Sequence, residues 1–175
     1  LSSGIRDVNI KTDLDYYLSP EHKLKYGLQY TFHRFSPSVV SGRQDSVNFN
    51  PNNSQLKYAR ETSAYVQDDW EVNDRLKLSY GLRWSGFQQV GPFKTFKRDP
   101  NGNKLDSTVF NRGEQVKFYA GFEPRTTLRY TLNDQTSIKA SVSRNRQYIH
   151  LVSNSGTTLP TDVWVPSTLV VKPQL

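Results

Sequence analysis

The three histidines have the most versatile side-chain chemistry in the chain, and their spacing argues against a catalytic or metal site. His22, His33 and His150 are far apart, and none has the i, i+4 spacing of a helical zinc motif. Asp68 and Asp69 are adjacent, so in a strand their carboxylates point to opposite faces and cannot act as a pair on one substrate. The sequence therefore predicts no catalytic site, no metal site and no cofactor.

A second oxygen-rich segment, Asp99–Asp106, has spacing similar to that of a calcium-binding loop. It lacks the glycine at the sixth position and the glutamate at the twelfth that such loops require. Asn101-Gly102 is instead a strong signal for a tight turn between two strands. We predict a hairpin with this dipeptide at its tip.

Ligand contact is more plausible than catalysis, and loops carry recognition more often than scaffold elements do. One group of candidates alternates aromatic and cationic side chains, as a site for a polar or anionic ligand would. A second group offers stacking and hydrogen bonding. The alternative for each residue is ordinary loop packing and solubility. The candidates are Phe93, Lys94, Phe96, Lys97, Arg98, Tyr148, His150, Asp162 and Trp164.

The elements that position these loops are strands whose side chains alternate between apolar and polar. In the first segment the even-numbered positions from Val8 to Leu18 are apolar or weakly polar, whereas the odd-numbered positions from Asp7 to Asp15 are charged or amide-bearing. Successive side chains of a strand point to opposite faces, so each strand has one apolar and one polar face. We predict three antiparallel hairpins of two strands each. The predicted pairs are Ile5–Leu18 with a strand from Leu24 to Phe32, Glu61–Val72 with Leu76–Phe87, and Val116–Leu132 with Thr136–Leu151.

Short turns at one end of these hairpins and long polar loops at the other favour a transmembrane β-barrel segment. The predicted strands are longer than usual, aromatic residues concentrate near their ends, and the charged face suits a wet lumen. A soluble β-sandwich also alternates apolar and polar residues and is the alternative. Two residues break the pattern. Asp68 lies on an apolar face, at headgroup level or at a bulge, and Pro124 is expected at a bulge or an unpaired ladder position.

Composition limits the other possibilities. The chain has a net charge of +7 but no basic helix or RNA-binding signature, so we predict no nucleic-acid partner and a lumen that favours anionic or polar solutes. No apolar run approaches the length of a transmembrane helix, and there is no cysteine. About six strands are fewer than the eight of the smallest outer-membrane barrels. We therefore expect the chain to be a piece of a longer polypeptide.

The segments Glu61–Trp70 and Leu76–Trp84 resemble the barrel of TonB-dependent outer-membrane receptors, as does Phe122–Tyr130. Residues 147–151 and 159–166 look like the subgroup with an amino-terminal carboxypeptidase-regulatory-like domain. The resemblance implies an all-β, antiparallel up-and-down barrel of about 22 strands, with short periplasmic turns and long extracellular loops. Residues 1–175 would then be roughly a quarter of one barrel domain, with the plug and the TonB box elsewhere.

The resemblance also implies a function: active uptake of a scarce solute across the bacterial outer membrane, with no enzymatic activity. A siderophore, corrinoid, glycan or peptide all fit. The implied partners are outer-membrane lipid, TonB through the missing amino-terminal part, and a surface lipoprotein. The alternatives are a passive porin or adhesin barrel, an outer-membrane enzyme, and the soluble sandwich.

Overall fold

The structure is a computed structural model and describes residues 4–36, 43–44, 47–48, 56–152 and 163–175. Every regular element in these ranges is a β-strand. No helix in them is long and apolar enough to cross a membrane. The all-β prediction is thus confirmed.

Six long strands form one antiparallel sheet in the order β1-β2-β5-β6-β9-β10. Long strands that are consecutive in the sequence are thus also adjacent in the sheet. This is the up-and-down arrangement that the three hairpins predict. The two edge strands, β1 and β10, have no further partner among the described residues. The six strands are β1 Gly4–Tyr17, β2 His22–Ser36, β5 Lys57–Asn73, β6 Leu76–Val90, β9 Gln115–Asn133 and β10 Thr136–Ser143.

Three small hairpins complete the structure, in the long connections and after the last long strand. The two-residue strands β3 (Arg43–Gln44) and β4 (Val47–Asn48) pair in the first connection. In the second, β7 (Phe93–Arg98) pairs with β8 (Lys104–Phe110). Beyond β10, β11 (Ile149–Val152) pairs with β12 (Val163–Pro166).

The sheet keeps even-numbered side chains on one face from edge to edge. Val8 pairs with Phe32, Val66 with Leu82, and Leu78 with Leu128. Even-numbered residues meet even-numbered ones throughout, except at one irregular pair at the end of each of three ladders: Asn73–Leu76, Asn133–Thr136 and Val90–Gln115. We call the even-numbered face of these six strands the outer face and the odd-numbered face the inner face. This continuous parity is what the predicted turn lengths require.

Apolar side chains on the outer face lie open to the surroundings. Leu28 is 65% exposed, Leu82 43% and Leu128 38%, although Leu28 and Leu82 are near the middle of their strands. A soluble sandwich would bury these leucines against a second sheet. The exposed apolar face therefore contradicts the sandwich alternative and fits a surface covered by lipid.

The last strand is shorter than predicted. We expected Thr136–Leu151, but β10 ends at Ser143, and residues 149–152 pair with β12 instead of β9. Arg144 donates the last hydrogen bond to this part of β9, from its backbone nitrogen to the carbonyl of Pro124 at 3.0 Å. The chain then leaves the sheet. At the long-loop ends the other strands are instead longer than predicted, with β2 reaching Ser36 and β6 reaching Val90.

Pro124 pairs with Leu82 on the β6 side but is unpaired in the ladder on the β10 side, which is one of the two predicted possibilities. Its carbonyl points toward β10, and in an antiparallel strand the nitrogen of the same residue points to that side too. The β9–β10 pairing ends at Ser143 and Arg125, so no donor is required at Pro124. The missing N–H therefore falls where β10 has already left the sheet.

Asp68 keeps its parity, so the bulge explanation for this residue is wrong. It pairs in register with Leu24 and Tyr80 and lies on the outer face toward the short turns. Its Oδ2 is 2.8 Å from Nδ1 of His22 and accepts a hydrogen bond from the Tyr80 hydroxyl at 3.0 Å. His22 in turn stacks on Trp70. The carboxylate is thus partnered at the edge of the apolar band, where burial of charge costs least.

The predicted hairpin tip is confirmed. Gly102 has a φ of +86°, a conformation that glycine adopts without strain. Both carboxylate oxygens of Asp99 accept hydrogen bonds from Asn103, at 2.8 Å from the backbone and 3.0 Å from the side chain. These bonds hold the pKa of Asp99 below its ordinary value. The carboxylate is therefore used to close the turn.

The Asn-Asp turns provide a prediction about stability. Asn73 Oδ1 accepts hydrogen bonds from the backbone nitrogens of Arg75 and Leu76, at 3.0 and 2.9 Å. The equivalent Asn133 accepts only one, from Gln135 at 3.0 Å. We expect Asn73→Ala to lower the free energy of unfolding in urea by about 1–2 kcal/mol, and Asn133→Ala by about half as much. Equal losses for the two variants would contradict the proposed role of the side-chain bonds.

Candidate functional site

The chain beyond β10 folds back over the inner face of the sheet. We call residues 144–152 and 163–175 the inner cover. The Tyr119 hydroxyl of β9 donates to the carbonyl of Thr168 at 2.7 Å. The Arg146 guanidinium occupies the space where a side chain at Gly121 would lie. Gly121 therefore leaves room for the Arg146 side chain in its present position.

An apolar cluster anchors the inner cover near the long loops. Phe35, Ala59 and Phe87 are inner-face residues of β2, β5 and β6, and each is at most 1% exposed. Tyr148 of the inner cover is 4% exposed and stacks on Phe87, with ring centroids 5.1 Å apart. An inner face that is charged elsewhere thus has a dry region at this end.

Next to this cluster lies a buried polar network. The Ser85 hydroxyl donates to Glu123 Oε1 at 2.5 Å and is 2.8 Å from the Tyr148 hydroxyl. Arg83 is 3.8 Å from Glu61 and 4.0 Å from Glu123, and it donates to the Ser63 hydroxyl at 3.1 Å. The guanidinium of Arg83 on β6 is therefore shared by two carboxylates, one from each of the flanking strands β5 and β9.

His33 extends the network toward β1. Its Nδ1 is 2.8 Å from Asp7 Oδ1, and its Nε2 is 3.6 Å from Glu61 Oε2. The ring is 4% exposed and lies beside Phe35 and Phe87. His33 therefore joins the apolar cluster to the acidic residues.

Toward the short turns the inner face is open and forms a basic concavity of about 340 Å³. Its lining includes four cationic side chains and no acidic one, together with Gln29, Ser63, Tyr65 and Gln67. The four cations are Lys11, Lys25, Arg83 and Arg125. Several of these pair with carboxylates nearby, for example Lys25 Nζ with Asp69 Oδ2 at 2.7 Å. Such pairs remain solvated, as expected in a wet lumen.

Three of the predicted site residues lie on the inner cover. Tyr148 is anchored as described, and His150 is 9% exposed with its Nε2 3.3 Å from the Ser167 hydroxyl. Trp164 is 40% exposed and pairs with Leu151. Asp162 lies outside the described residues. The structure thus brings Tyr148, His150 and Trp164 onto one segment, with only Trp164 presenting a large exposed surface.

The other predicted residues are on the β7–β8 hairpin. Lys94 and Phe96 share one face, with Lys94 Nζ 5.2 Å from the centre of the Phe96 ring. Phe93 and Lys97 lie on the opposite face, where Phe93 pairs with Phe110. For Arg98 only the backbone belongs to the described part of the chain. The alternation predicted from the sequence therefore separates these residues into two faces of one hairpin.

A Ser–His contact raises the question of catalysis, because His150 and Ser167 are within reach of each other. Ser167 is 0% exposed, so its hydroxyl is not accessible to a substrate. Across the described ranges, no group of three or more histidine, cysteine, aspartate or glutamate side chains could hold a metal ion. The arrangement offers hydrogen bonding and charge, as a binding surface does.

Sequence reasoning did not identify Glu61, Arg83, Ser85 and Glu123 as neighbours. Because all four are odd-numbered, alternation alone predicts that they lie on the inner face. Which of the many odd-numbered polar residues meet depends on register, which places Arg83 opposite Glu123 and Tyr65. The β5–β6 register follows from the short turn, whereas β6 and β9 are joined by a long connection, so the pairing of Arg83 with Glu123 has no local signal.

Comparison with known proteins gives one result. The chain matches the family model described as "TonB dependent receptor-like, beta-barrel" over residues 2–158. No curated protein and no solved structure gives a match.

Proposed function

Because this chain belongs to the TonB-dependent receptor-like β-barrel family of the bacterial outer membrane, we propose that it forms part of the wall of an importer for a scarce solute. Proteins of this family are transport proteins and not enzymes. TonB and outer-membrane lipid are the partners that membership implies. The cargo would be a siderophore, corrinoid, glycan or peptide.

One observation carries the proposal: a sheet that is apolar and exposed on one face is polar and charged on the other. Leu28 and Leu82 point outward, while their strand neighbours Gln29 and Arg83 line the inner concavity. An open sheet would leave unpaired edges in hydrocarbon, which is prohibitive. Residues 1–175 are therefore proposed to be part of a single barrel domain whose other strands pair with β1 and β10.

The basic lining of the inner concavity supports an anionic or polar cargo. Arg125 contributes a cation that has no ion-pair partner among the described residues, whereas Lys11 pairs with Asp13 at 2.7 Å. Cations that face a lumen raise the local concentration of anions there. A cargo with carboxylate, phosphate or other acidic groups would be favoured over a cationic one.

Two surfaces are proposed to receive cargo near the extracellular mouth. The first is the β7–β8 hairpin, with Phe93, Lys94, Phe96, Lys97 and Arg98. The second is the inner cover, where Trp164 offers a stacking surface, His150 and Tyr148 fix its position, and Asp162 adjoins it in sequence. The amino-terminal carboxypeptidase-regulatory-like domain and a surface lipoprotein partner belong to the same proposal and rest on the sequence resemblance.

A passive porin or adhesin barrel is the alternative, and ion conductance distinguishes it. We expect the complete receptor to show no steady KCl conductance in a planar lipid bilayer, because a plug would close it, and to bind the purified carboxy-terminal domain of TonB. Stable open channels together with no TonB binding would overturn the importer and support the passive barrel.

A further inference from the structure

On the outer face, arginines lie near the long-loop ends of the strands, and the one acidic residue of the described strands lies near the short turns. Within the described parts of the six long strands, the outer face carries arginine toward the long loops: Arg6 on β1, Arg34 on β2 and Arg60 on β5. Toward the short turns it carries only His22 and Asp68, which pair with each other. No acidic residue occupies an outer-face position at the arginine end of these strands.

The arginines lie close together in the sheet. Arg6 is directly opposite Arg34, and Arg34 is in turn opposite Tyr58. Arg60 is opposite Phe32, which is the next outer-face pair toward the short turns. Arg112, from the turn between β8 and β9, joins Arg34 and Arg60 in lining an outer concavity of about 580 Å³. We call these four residues the arginine cluster.

The arginine cluster has no acidic partner among the described residues, where the ion pairs all involve other cations. Arg6, Arg34 and Arg112 are exposed, and Arg60 is half-buried. Like charges directly opposite each other across a strand pair destabilise it. Arg6 and Arg34 are such a pair, and a bound anion would remove the penalty.

The height of the cluster matches the outer boundary of a membrane. Arg60 and Asp68 both lie on the outer face of β5, eight residues apart, which is roughly 26 Å along a strand and roughly 20 Å across the membrane at the usual strand tilt. The three outer residues between them are Thr62, Ala64 and Val66, all uncharged. An apolar band of about 25 Å is typical of outer-membrane barrels. Phe32 and Tyr58, which stack at 6.0 Å, mark the aromatic girdle at the same level.

We propose that the arginine cluster binds the phosphate groups of a phosphorylated glycolipid in the outer leaflet. Guanidinium groups bind phosphate oxygens in pairs and hold this geometry better than lysine. The long-loop end of such barrels is extracellular, so the cluster lies at the headgroups of that leaflet, and the half-buried rings of Phe32 and Tyr58 would contact the acyl chains beside it. This site depends on membrane orientation alone and not on what the lumen transports.

The test compares lipid binding by two triple variants that lose the same charge. The complete receptor in detergent is titrated with bis-phosphorylated lipid A and followed by native mass spectrometry. The test variant is Arg6→Gln, Arg34→Gln, Arg60→Gln. The matched control is Arg75→Gln, Arg129→Gln, Arg144→Gln, which places the losses in a short turn, on the inner face and beyond β10. A heat-dependent band shift in SDS electrophoresis selects preparations that are folded.

We expect the wild type and the control to bind lipid A alike, and the test variant to bind at least about tenfold more weakly, given the strength of charge-assisted hydrogen bonds. Dephosphorylated lipid A should bind all three proteins equally. Inorganic phosphate at equal concentration should not displace lipid A, since the acyl chains contribute. If the test variant does not fold, Arg34→Gln alone serves the same titration. Equal binding by test and control variants, binding independent of the lipid phosphates, or displacement by inorganic phosphate would overturn the proposal.

Discussion

Replacing Leu28 by arginine is expected to lower the free energy of unfolding in a lipid bilayer by about 2–4 kcal/mol. Leu28 lies midway along β2 on the outer face, opposite Thr12 and Ala64, and its side chain is 65% exposed. A guanidinium there would sit at the level of the acyl chains, too far from either surface to reach water easily. Urea titration of the complete receptor folded into lipid vesicles measures the loss.

The matched control is Gln29→Arg, one residue further along the same strand. Gln29 faces the inner concavity, where the new charge would be solvated. Because Gln29 is directly opposite Lys11, we expect repulsion between the two solvated cations to cost at most about 1 kcal/mol, well below the loss at Leu28. If both substitutions cost the same, the outer and inner faces have been assigned incorrectly.

The second large effect is expected at Tyr148, which attaches the inner cover to the sheet. Tyr148→Ala removes the ring stacked on Phe87 and leaves the buried Ser85–Glu123 pair without its third partner. Truncation of a buried aromatic residue costs about 3–5 kcal/mol. We expect the inner cover to detach, which limited proteolysis between residues 144 and 175 would detect as faster cleavage.

Tyr148→Phe separates packing from hydrogen bonding. It keeps the stacked ring and removes only the hydroxyl that lies 2.8 Å from Ser85. We expect a loss of about 1 kcal/mol, with little change in the rate of cleavage. An unchanged cleavage rate in Tyr148→Ala would show that this residue does not hold the inner cover in place.

The main sheet could be predicted from the sequence because its information is local. Alternation assigns each side chain to a face, and the Asn-Asp turns fix how two strands pair. If residues are paired one by one on the two sides of the turn at Asn73–Arg75, Val66 is placed opposite Leu82, as observed. The outward direction of Leu28, Leu82 and Leu128 followed from the same pattern.

The inner cover could not be predicted, since alternation specifies a strand but not its partner. Ile149 and Leu151 are apolar and favour a strand, but they are odd-numbered whereas Ile138 and Val142 of β10 are even-numbered, so the prediction of one long strand overlooked a change of parity. The departure at Arg144 depends on contacts with distant residues, in particular Arg146 with Gly121 and Tyr148 with Ser85. Those contacts join segments many residues apart and have no local signature. For the same reason the buried network around Glu123 was missed.

The most direct test of the account is the accessibility of single cysteines placed along one strand. The chain has no cysteine of its own, so the exposed residues 125 to 130 of β9 can each be replaced in turn and labelled with a nitroxide in the complete receptor in lipid vesicles. The account predicts alternation: labels at 126, 128 and 130 collide with oxygen dissolved in lipid, while those at 125, 127 and 129 collide with a water-soluble nickel complex. Accessibility without a period of two residues, or with the two faces exchanged, would contradict it.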